Sequence, residues 1–249
     1  MSEQSWKGFC RLLSFICFFV FVGSLSCYAA DKQVDAVWVE ADGIRHEIFF
    51  STFSEGTWSD PVQLTDDYFD NLHPVVDRDS HGKHWVFWTA SDAGKLTLHY
   101  TSSTDDGWAD IKEVPVELNS SIAPSVVIAA DDVLWLAWAG NTGGQDDIYV
   151  TTLHNGEWGK AVMVHPENEV PDILPTITLD AAKQLSVRWK TFQNGAYVTV
   201  QSTWDGRKWS SPEQVEAVET TAADSLQAEK DIPVPEFLKD DDRAFVRLY

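Results

Sequence analysis

The chain has 249 residues, and its 18 lysine and arginine residues are outnumbered by 39 aspartate and glutamate residues, for a formal net charge of −21. A field of that sign repels nucleic acids and anionic lipid surfaces, which argues against both as partners. The only cysteines, Cys10, Cys17 and Cys27, all lie near the N-terminus. The rest of the chain must therefore be held by its hydrophobic core and not by disulfide bonds.

The N-terminal segment, residues 1 to 30, is predicted to be a secretory signal peptide. Two basic residues precede a short apolar run at residues 12 to 22, and small residues suited to cleavage follow at 27 to 30. The run is short for a membrane span. Lipidation at Cys27 and a retained anchor stay open as alternatives. We expect a secreted or periplasmic protein, with a lipid-anchored envelope protein as the second option and no membrane span after signal removal.

Beyond residue 31, short runs rich in β-branched and aromatic residues alternate with Gly, Asp, Asn and Pro, a pattern typical of strands and turns. A polar turn that contains glycine and ends in tryptophan recurs at intervals of 50, 50 and 51 residues. A fixed period of this size indicates a repeat architecture. The turn residues, which we predict to be structural, are Gly56, Trp58, Gly107, Trp108, Gly156, Trp158, Gly206 and Trp209.

Each period contains four strand-like runs in the same order. The first run follows a proline, the second carries a tryptophan, the third leads into the glycine turn and the fourth leaves it. Four short antiparallel strands joined by turns are the unit of a β-propeller blade. The sequence therefore predicts an all-β, β-propeller-like fold of about four to five blades. The tryptophans that fall in register in the second run are Trp38, Trp88, Trp138 and Trp189.

Residues 31 to 249 are predicted to form a single domain. The domain begins with a run that corresponds to the second strand of a period. From Pro235 it ends with two runs that align with the first and second strands. The first of these can join the N-terminal strands and close a ring of four blades. An incomplete fifth blade and an open array completed by a second copy remain as alternatives. The predicted repeats lie near 34 to 66, 67 to 116, 117 to 167 and 168 to 217, followed by a linker or short surface helix at 218 to 230 and closing strands at 231 to 249.

The turns resemble the Asp-box (BNR-type) repeats of sialidase-like propellers, in which a Ser/Thr-x-Asp-x-Gly-x-x-Trp turn joins the third and fourth strands of a blade. Ser103, Asp105 and Gly107 match the front of that pattern, and Gly206 and Trp209 match its rear. The resemblance covers residues 34 to 249 and implies a propeller fold. It also implies that a sialidase would need three convergent arginines, a Tyr/Glu pair and an aspartic acid. The positions of the arginines within the repeats do not place any three of them close together, so we predict no catalytic residues.

Function is expected in the irregular loops on the face opposite the glycine turns. Loops that lead into the first strands and loops that join the second and third strands share that face, and their polar side chains form a candidate binding mouth. No cofactor or dedicated metal motif is predicted; calcium, which takes several oxygen ligands, has candidate positions only in the aspartate runs at 66 to 67, 146 to 147 and 240 to 242. The predicted ligand-binding residues are Arg45, His46, Asp70, Asn71, His73, Asp146 and Asp172.

These observations predict an exported, non-catalytic propeller that binds a glycan or a protein at the cell envelope. Two alternatives stay open. One is a sialidase-like glycoside hydrolase, and the other is a partial propeller completed by oligomerisation.

Overall fold

The computed structural model describes residues 32–41, 43–217, 222–229, 231–239 and 244–249. These residues belong to one compact unit, Asp31–Tyr249. The predicted signal peptide at 1 to 30, the start of the predicted linker at 218 to 221 and the aspartates at 240 to 242 lie outside the described residues.

The described residues form four antiparallel sheets in chain order, which we number blades 1 to 4. The all-β, propeller-like prediction is confirmed, with four blades. Blade 1 comprises β1 Val34–Ala41, β2 His46–Ser54, β3 Thr57–Trp58 and β4 Val62–Gln63; blade 2 comprises β5 Asp70–Arg78, β6 His84–Asp92, β7 Lys95–Thr104, β8 Gly107–Trp108 and β9 Lys112–Glu113. Blade 3 comprises β10 Ser120–Ile128, β11 Leu134–Asn141, β12 Asp147–His154, β13 Glu157–Trp158 and β14 Val162–Met163; blade 4 comprises β15 Asp172–Leu179, β16 Leu185–Gln193, β17 Ala196–Thr203 and β18 Glu213–Gln214.

The C-terminus adds one more strand, β19 Phe245–Leu248, to blade 1. It pairs antiparallel with β1, from Val34 opposite Leu248 to Val37 opposite Phe245. The predicted alignment of the tail is therefore wrong by one strand. The segment after Pro235 forms a 3-10 helix, Glu236–Leu238, and the run aligned with second strands takes the first-strand position.

Apolar clusters join each blade to the next. In blades 2 to 4, the tryptophan of the second strand is buried in these clusters, and the turn tryptophan packs on the preceding blade. Trp108 meets Phe50 with ring centroids 5.0 Å apart, and Trp158 meets Tyr100 at 5.5 Å. The turns thus stabilise the packing between neighbouring blades as well as the hairpin within each blade.

No strand of the described residues precedes blade 1 in the chain, and the C-terminal segment packs where a preceding blade would lie. Phe237 stacks on Trp38 with centroids 4.4 Å apart and meets the turn residue Trp58 at 6.0 Å. Leu226 from the short helix α1, Ala222–Gln227, and Leu238 complete the cluster. This contact explains why the segment after Pro235 is not a strand, since its aromatic side chain is needed on the face of blade 1.

The far face of blade 4 is exposed to solvent and mixed in character. Arg188 is exposed there and donates to Gln201 at 2.6 Å, and the exposed rings of Phe192 and Tyr197 lie on the same face. The residues equivalent to Arg188, which are Val37, Phe87 and Ala137, are fully buried against the next blade. Within the described residues, no apolar cluster joins blade 4 to blade 1. The four blades therefore form an open array that the C-terminal segment covers at one end and that ends, at the other, in the exposed face of blade 4.

Candidate functional site

Equivalent positions of the repeat form a polar cluster at two of the blade junctions. In the cluster between blades 1 and 2, every polar side chain has a hydrogen-bond partner. Trp88 Nε1 donates to Asn71 Oδ1 at 2.8 Å. Asn71 Nδ2 donates to Glu47 Oε2 at 3.4 Å, and Thr65 Oγ1 also donates to Glu47. Glu47, Thr65 and Asn71 are buried. Each group has a partner, as buried polar groups require, so this version has a structural role.

The same positions between blades 3 and 4 carry different chemistry. Asp147 and His165 lie 100 residues after Glu47 and Thr65, and Asp172 and Trp189 lie 101 residues after Asn71 and Trp88. We call Asp147, His165, Asp172 and Trp189 the blade 3/4 site. The tryptophan contact is retained, with Trp189 Nε1 donating to Asp172 Oδ1 at 3.0 Å.

With His165 and Asp172 in place of threonine and asparagine, the cluster contains a close imidazole–carboxylate pair, and Asp147 Oδ1 is buried without a hydrogen bond. His165 Nε2 lies 3.1 Å from Asp172 Oδ2 and 4.0 Å from Asp147 Oδ1. His165 Nδ1 lies 2.9 Å from the Pro166 carbonyl oxygen. Because a carbonyl only accepts, Nδ1 carries a proton and Nε2 faces the two carboxylates.

The surroundings shift the pKa values of Asp147, His165 and Asp172, and they do not shift all three in the same direction. Burial raises the pKa of Asp147. Burial lowers the pKa of His165, but hydrogen bonds to Asp172 and a backbone carbonyl and the nearby carboxylates outweigh it, so the pKa is raised. Burial raises the pKa of Asp172, but hydrogen bonds with His165, Thr191 and Asn168 outweigh it, so the pKa is lowered. Asp172 is thus held as an anion beside a readily protonated imidazole.

A polar pocket of about 240 Å³ opens beside this site. It lies between the segment that follows β14 and strands β16 to β18. His165 forms part of its wall and stacks on Trp189 with ring centroids 5.2 Å apart. Several amide and hydroxyl groups converge on the same space. The lining residues are His165, Asn168, Asp172, Trp189, Thr191, Gln193, Val200, Pro212 and Gln214.

Four predicted residues meet at the blade 1/2 junction instead. His46 Nδ1 lies 2.7 Å from Asp70 Oδ1, and Arg45 Nη1 donates to the Asp67 carbonyl oxygen at 3.3 Å. Asn71 belongs to the bonded cluster described above and is fully buried. These contacts hold two loops together.

Asp70, Asn71, His73 and Asp172 were predicted in loops but lie in first strands, which begin before the proline. The reason is a bulge at each X-Pro step that keeps the strand paired on both sides. His73, Ala123 and Leu174 occupy this bulge with φ of 53°, 54° and 53°. The histidine therefore follows the same backbone as its equivalents.

Asp146 is near the site but points away from it. Its carboxylate accepts from Asn141 Nδ2 at 2.6 Å, and its carbonyl accepts from the Asp172 amide at 2.8 Å. Asp147 was considered from the sequence only as a candidate calcium position, and His165 was not considered. The sequence does distinguish this position, because His165 occupies the place in the repeat that Thr65 and Pro115 occupy in the two preceding blades.

The glycines of the four turns, Gly56, Gly107, Gly156 and Gly206, have φ of +83°, +136°, +81° and +94°. Their tryptophans pack between blades, and Trp58 Nε1 donates to the Pro233 carbonyl oxygen at 2.8 Å. None of these residues lines the pocket beside the blade 3/4 site.

No family model matches the sequence, and no curated protein matches it. The Asp-box resemblance therefore stays a prediction. Among the helices of the described chain, none is long and apolar enough to cross a membrane.

Solved structures with a similar fold include several proteins that act on polysaccharides. A protein of unknown function from Dyadobacter fermentans has a TM-score of 0.55 and 10% identity, over 71% of this chain and 59% of that one. A polysaccharide lyase, an ulvan lyase, has a TM-score of 0.51 and 13% identity, over 68% of this chain and 49% of the lyase. The endo-arabinase of Bacteroides thetaiotaomicron has a TM-score of 0.51 and 15% identity, over 74% of this chain and 77% of the enzyme. This chain matches about half to three-fifths of the first two proteins, and at these identities the similarity shows the fold alone.

Proposed function

We propose that this protein is an exported, non-catalytic glycan-binding protein and that its sugar site is the pocket beside the blade 3/4 site. The observation that carries the proposal is the convergence of Asn168, Thr191, Gln193 and Gln214 on one open pocket. Amides and hydroxyls both donate and accept hydrogen bonds, which is what sugar hydroxyl groups require.

The size of the pocket sets the size of the ligand. Its volume of about 240 Å³ is below the ~300–1,000 Å³ of pockets that enclose drug-sized ligands. It therefore suits a single terminal or side-branch sugar. The ulvan lyase and endo-arabinase with similar folds support a glycan over a protein ligand.

Hydrolysis is the second candidate because two carboxyl groups in the site have pKa values shifted in opposite directions, a pattern shared by acid and base pairs of glycosidases. However, Asp147 is 6% exposed and Asp172 is 1% exposed. Asp172 is the only carboxyl group among the residues that line the pocket, whereas glycoside hydrolysis uses a pair of them, so binding is the better-supported function.

A glycan array followed by calorimetry with the best sugar tests the proposal. Gln193→Ala and Gln214→Ala remove exposed side chains and each should weaken binding about 5- to 30-fold, the equivalent of about 1 to 2 kcal/mol for a lost hydrogen bond. Gln63→Ala is the matched control, because Gln63 occupies the position of Gln214 in blade 1. Failure to bind any glycan, or equal loss in the control, contradicts the proposal.

The hydrolytic alternative has its own assay. The protein is incubated with a panel of aryl glycosides that includes sialosides, and we expect no turnover. Turnover that Asp172→Ala or Asp70→Ala abolishes would replace the binding function with an enzymatic one.

A further inference from the structure

We propose that Asp147, His165 and Asp172 form a binding site for a divalent transition metal ion of the Zn²⁺ type. The three side chains are buried, and their candidate ligand atoms all lie within 4.8 Å of one another. Tetrahedral Zn²⁺ with bonds of about 2.0–2.1 Å places its ligands about 3.3 Å apart. His165 Nε2 is 3.1 Å from Asp172 Oδ2, close to that spacing, and 4.0 Å from Asp147 Oδ1, so Asp147 must move closer to complete the set.

An unpartnered atom points to a missing ligand. Asp147 Oδ1 is buried and makes no hydrogen bond, although buried polar groups in proteins nearly always have a partner. A cation held between the three side chains would pair with this oxygen.

The surroundings hold the ligands as they are held in metal sites. His165 Nδ1 donates to the Pro166 carbonyl oxygen at 2.9 Å, which turns Nε2 toward the carboxylates. Asp172 accepts from Trp189 Nε1 at 3.0 Å and from Asn168 Nδ2 at 2.8 Å. A backbone acceptor behind a histidine and donors behind a carboxylate are the usual outer contacts of bound metals.

The blade 1/2 junction shows what the fold alone requires. There, glutamate, threonine and asparagine at the equivalent positions satisfy one another and the tryptophan without a histidine. A histidine and a second carboxylate are thus unnecessary for joining two blades, and their presence at blades 3 and 4 indicates an added role.

The ligand types select the metal. Imidazole nitrogen suits zinc and its neighbours, whereas calcium and magnesium prefer all-oxygen sets. Three protein ligands leave one position of a tetrahedral ion for water or another ligand. The pocket lined by His165 and Asp172 provides the path for the ion. This assignment is independent of glycan binding, because the probe that tests it is the metal alone.

The experiment uses the full chain without a histidine tag and with Cys10→Ser, Cys17→Ser and Cys27→Ser, which removes competing thiols. After treatment with a chelator, Zn²⁺ is titrated against a chromophoric competitor. We expect one equivalent to bind per chain and the melting temperature to rise, because an ion that binds only the folded state stabilises it. Equal or tighter binding of Ca²⁺ would overturn the metal class, and absence of stoichiometric Zn²⁺ binding would overturn the site.

Two variants and a control locate the ion. His165→Thr with Asp172→Asn copies the residues of blade 1/2, which the same fold accommodates, and should lower Zn²⁺ affinity more than about 100-fold. Asp147→Asn should also weaken binding while the protein still folds. Asp146→Asn makes the same charge change next to the site and should bind as the parent does. Unchanged affinity in the double variant, or equal loss in Asp146→Asn, contradicts the proposal.

Discussion

Replacing Arg247 with methionine should measurably loosen the whole array, because this side chain fixes the C-terminal strand to two other blades. Its guanidinium donates from Nη2 to Asp77 Oδ2 at 2.6 Å and from Nε to Asp77 Oδ1 at 3.1 Å. Nη2 also donates to the Val126 carbonyl oxygen at 3.1 Å. The arginine belongs to β19 in blade 1, Asp77 to blade 2 and Val126 to blade 3.

The magnitude follows from the burial of the two partners. Removing one member of a buried ion pair costs about 3–5 kcal/mol. Asp77 is 5% exposed but keeps a bond from the Ile128 amide at 2.8 Å, and the Arg247 side chain is 24% exposed. These facts lower the expected loss to about 2–3 kcal/mol. For a domain of this size the melting temperature should fall by roughly 5–10 °C.

Urea unfolding followed by tryptophan fluorescence measures the loss. Arg247→Met, Asp77→Asn and the double variant form a cycle, and the double variant should lose less than the two single losses together. Arg207→Met, which changes an exposed arginine in a turn, is the control and should stay within about 0.5 kcal/mol of the parent. If Arg247→Met also stays within about 0.5 kcal/mol, the docking of the tail in blade 1 is refuted.

Two further predictions concern the turns and the ends of the array. Gly206→Ala should lower the free energy of unfolding by about 1 kcal/mol, because the φ of +94° at this position suits glycine. Gly144→Ala, at an open position without positive φ, is the control and should be close to neutral. Equal losses of stability in urea unfolding would contradict the role of the turn. The protein should sediment as a monomer, because its tail covers the apolar face of blade 1 and an exposed arginine, Arg188, stands on the free face of blade 4. A dimer that Arg188→Glu dissociates would show that blade 4 is an interface.

The blade pattern was predictable because strand alternation and turn chemistry are local and recur every fifty residues. The tail was not, because its alignment from Pro235 reflects local pattern, while its structure is decided by the contact of Phe237 with Trp38. The sequence of the tail alone does not indicate that it packs on the apolar face of blade 1.

The candidate site was predictable only in part. Asp172 was predicted as a loop residue, and it lies at the start of β15 beside His165. At the position before each proline, the repeats carry His73, Ala123 and Leu174, so comparison at that position singles out His73. The same comparison carried to Thr65, Pro115 and His165 identifies the position at which the repeat changes from neutral groups to an imidazole.

A crystal structure of the protein with the sugar that binds best on the array tests the proposed site most directly. We expect the sugar in the pocket beside the blade 3/4 site, with its hydroxyl groups bonded to Thr191, Gln193 or Gln214. A sugar bound instead at the His46 and Asp70 pair of the blade 1/2 junction, or on the exposed face of blade 4, would refute the proposed site.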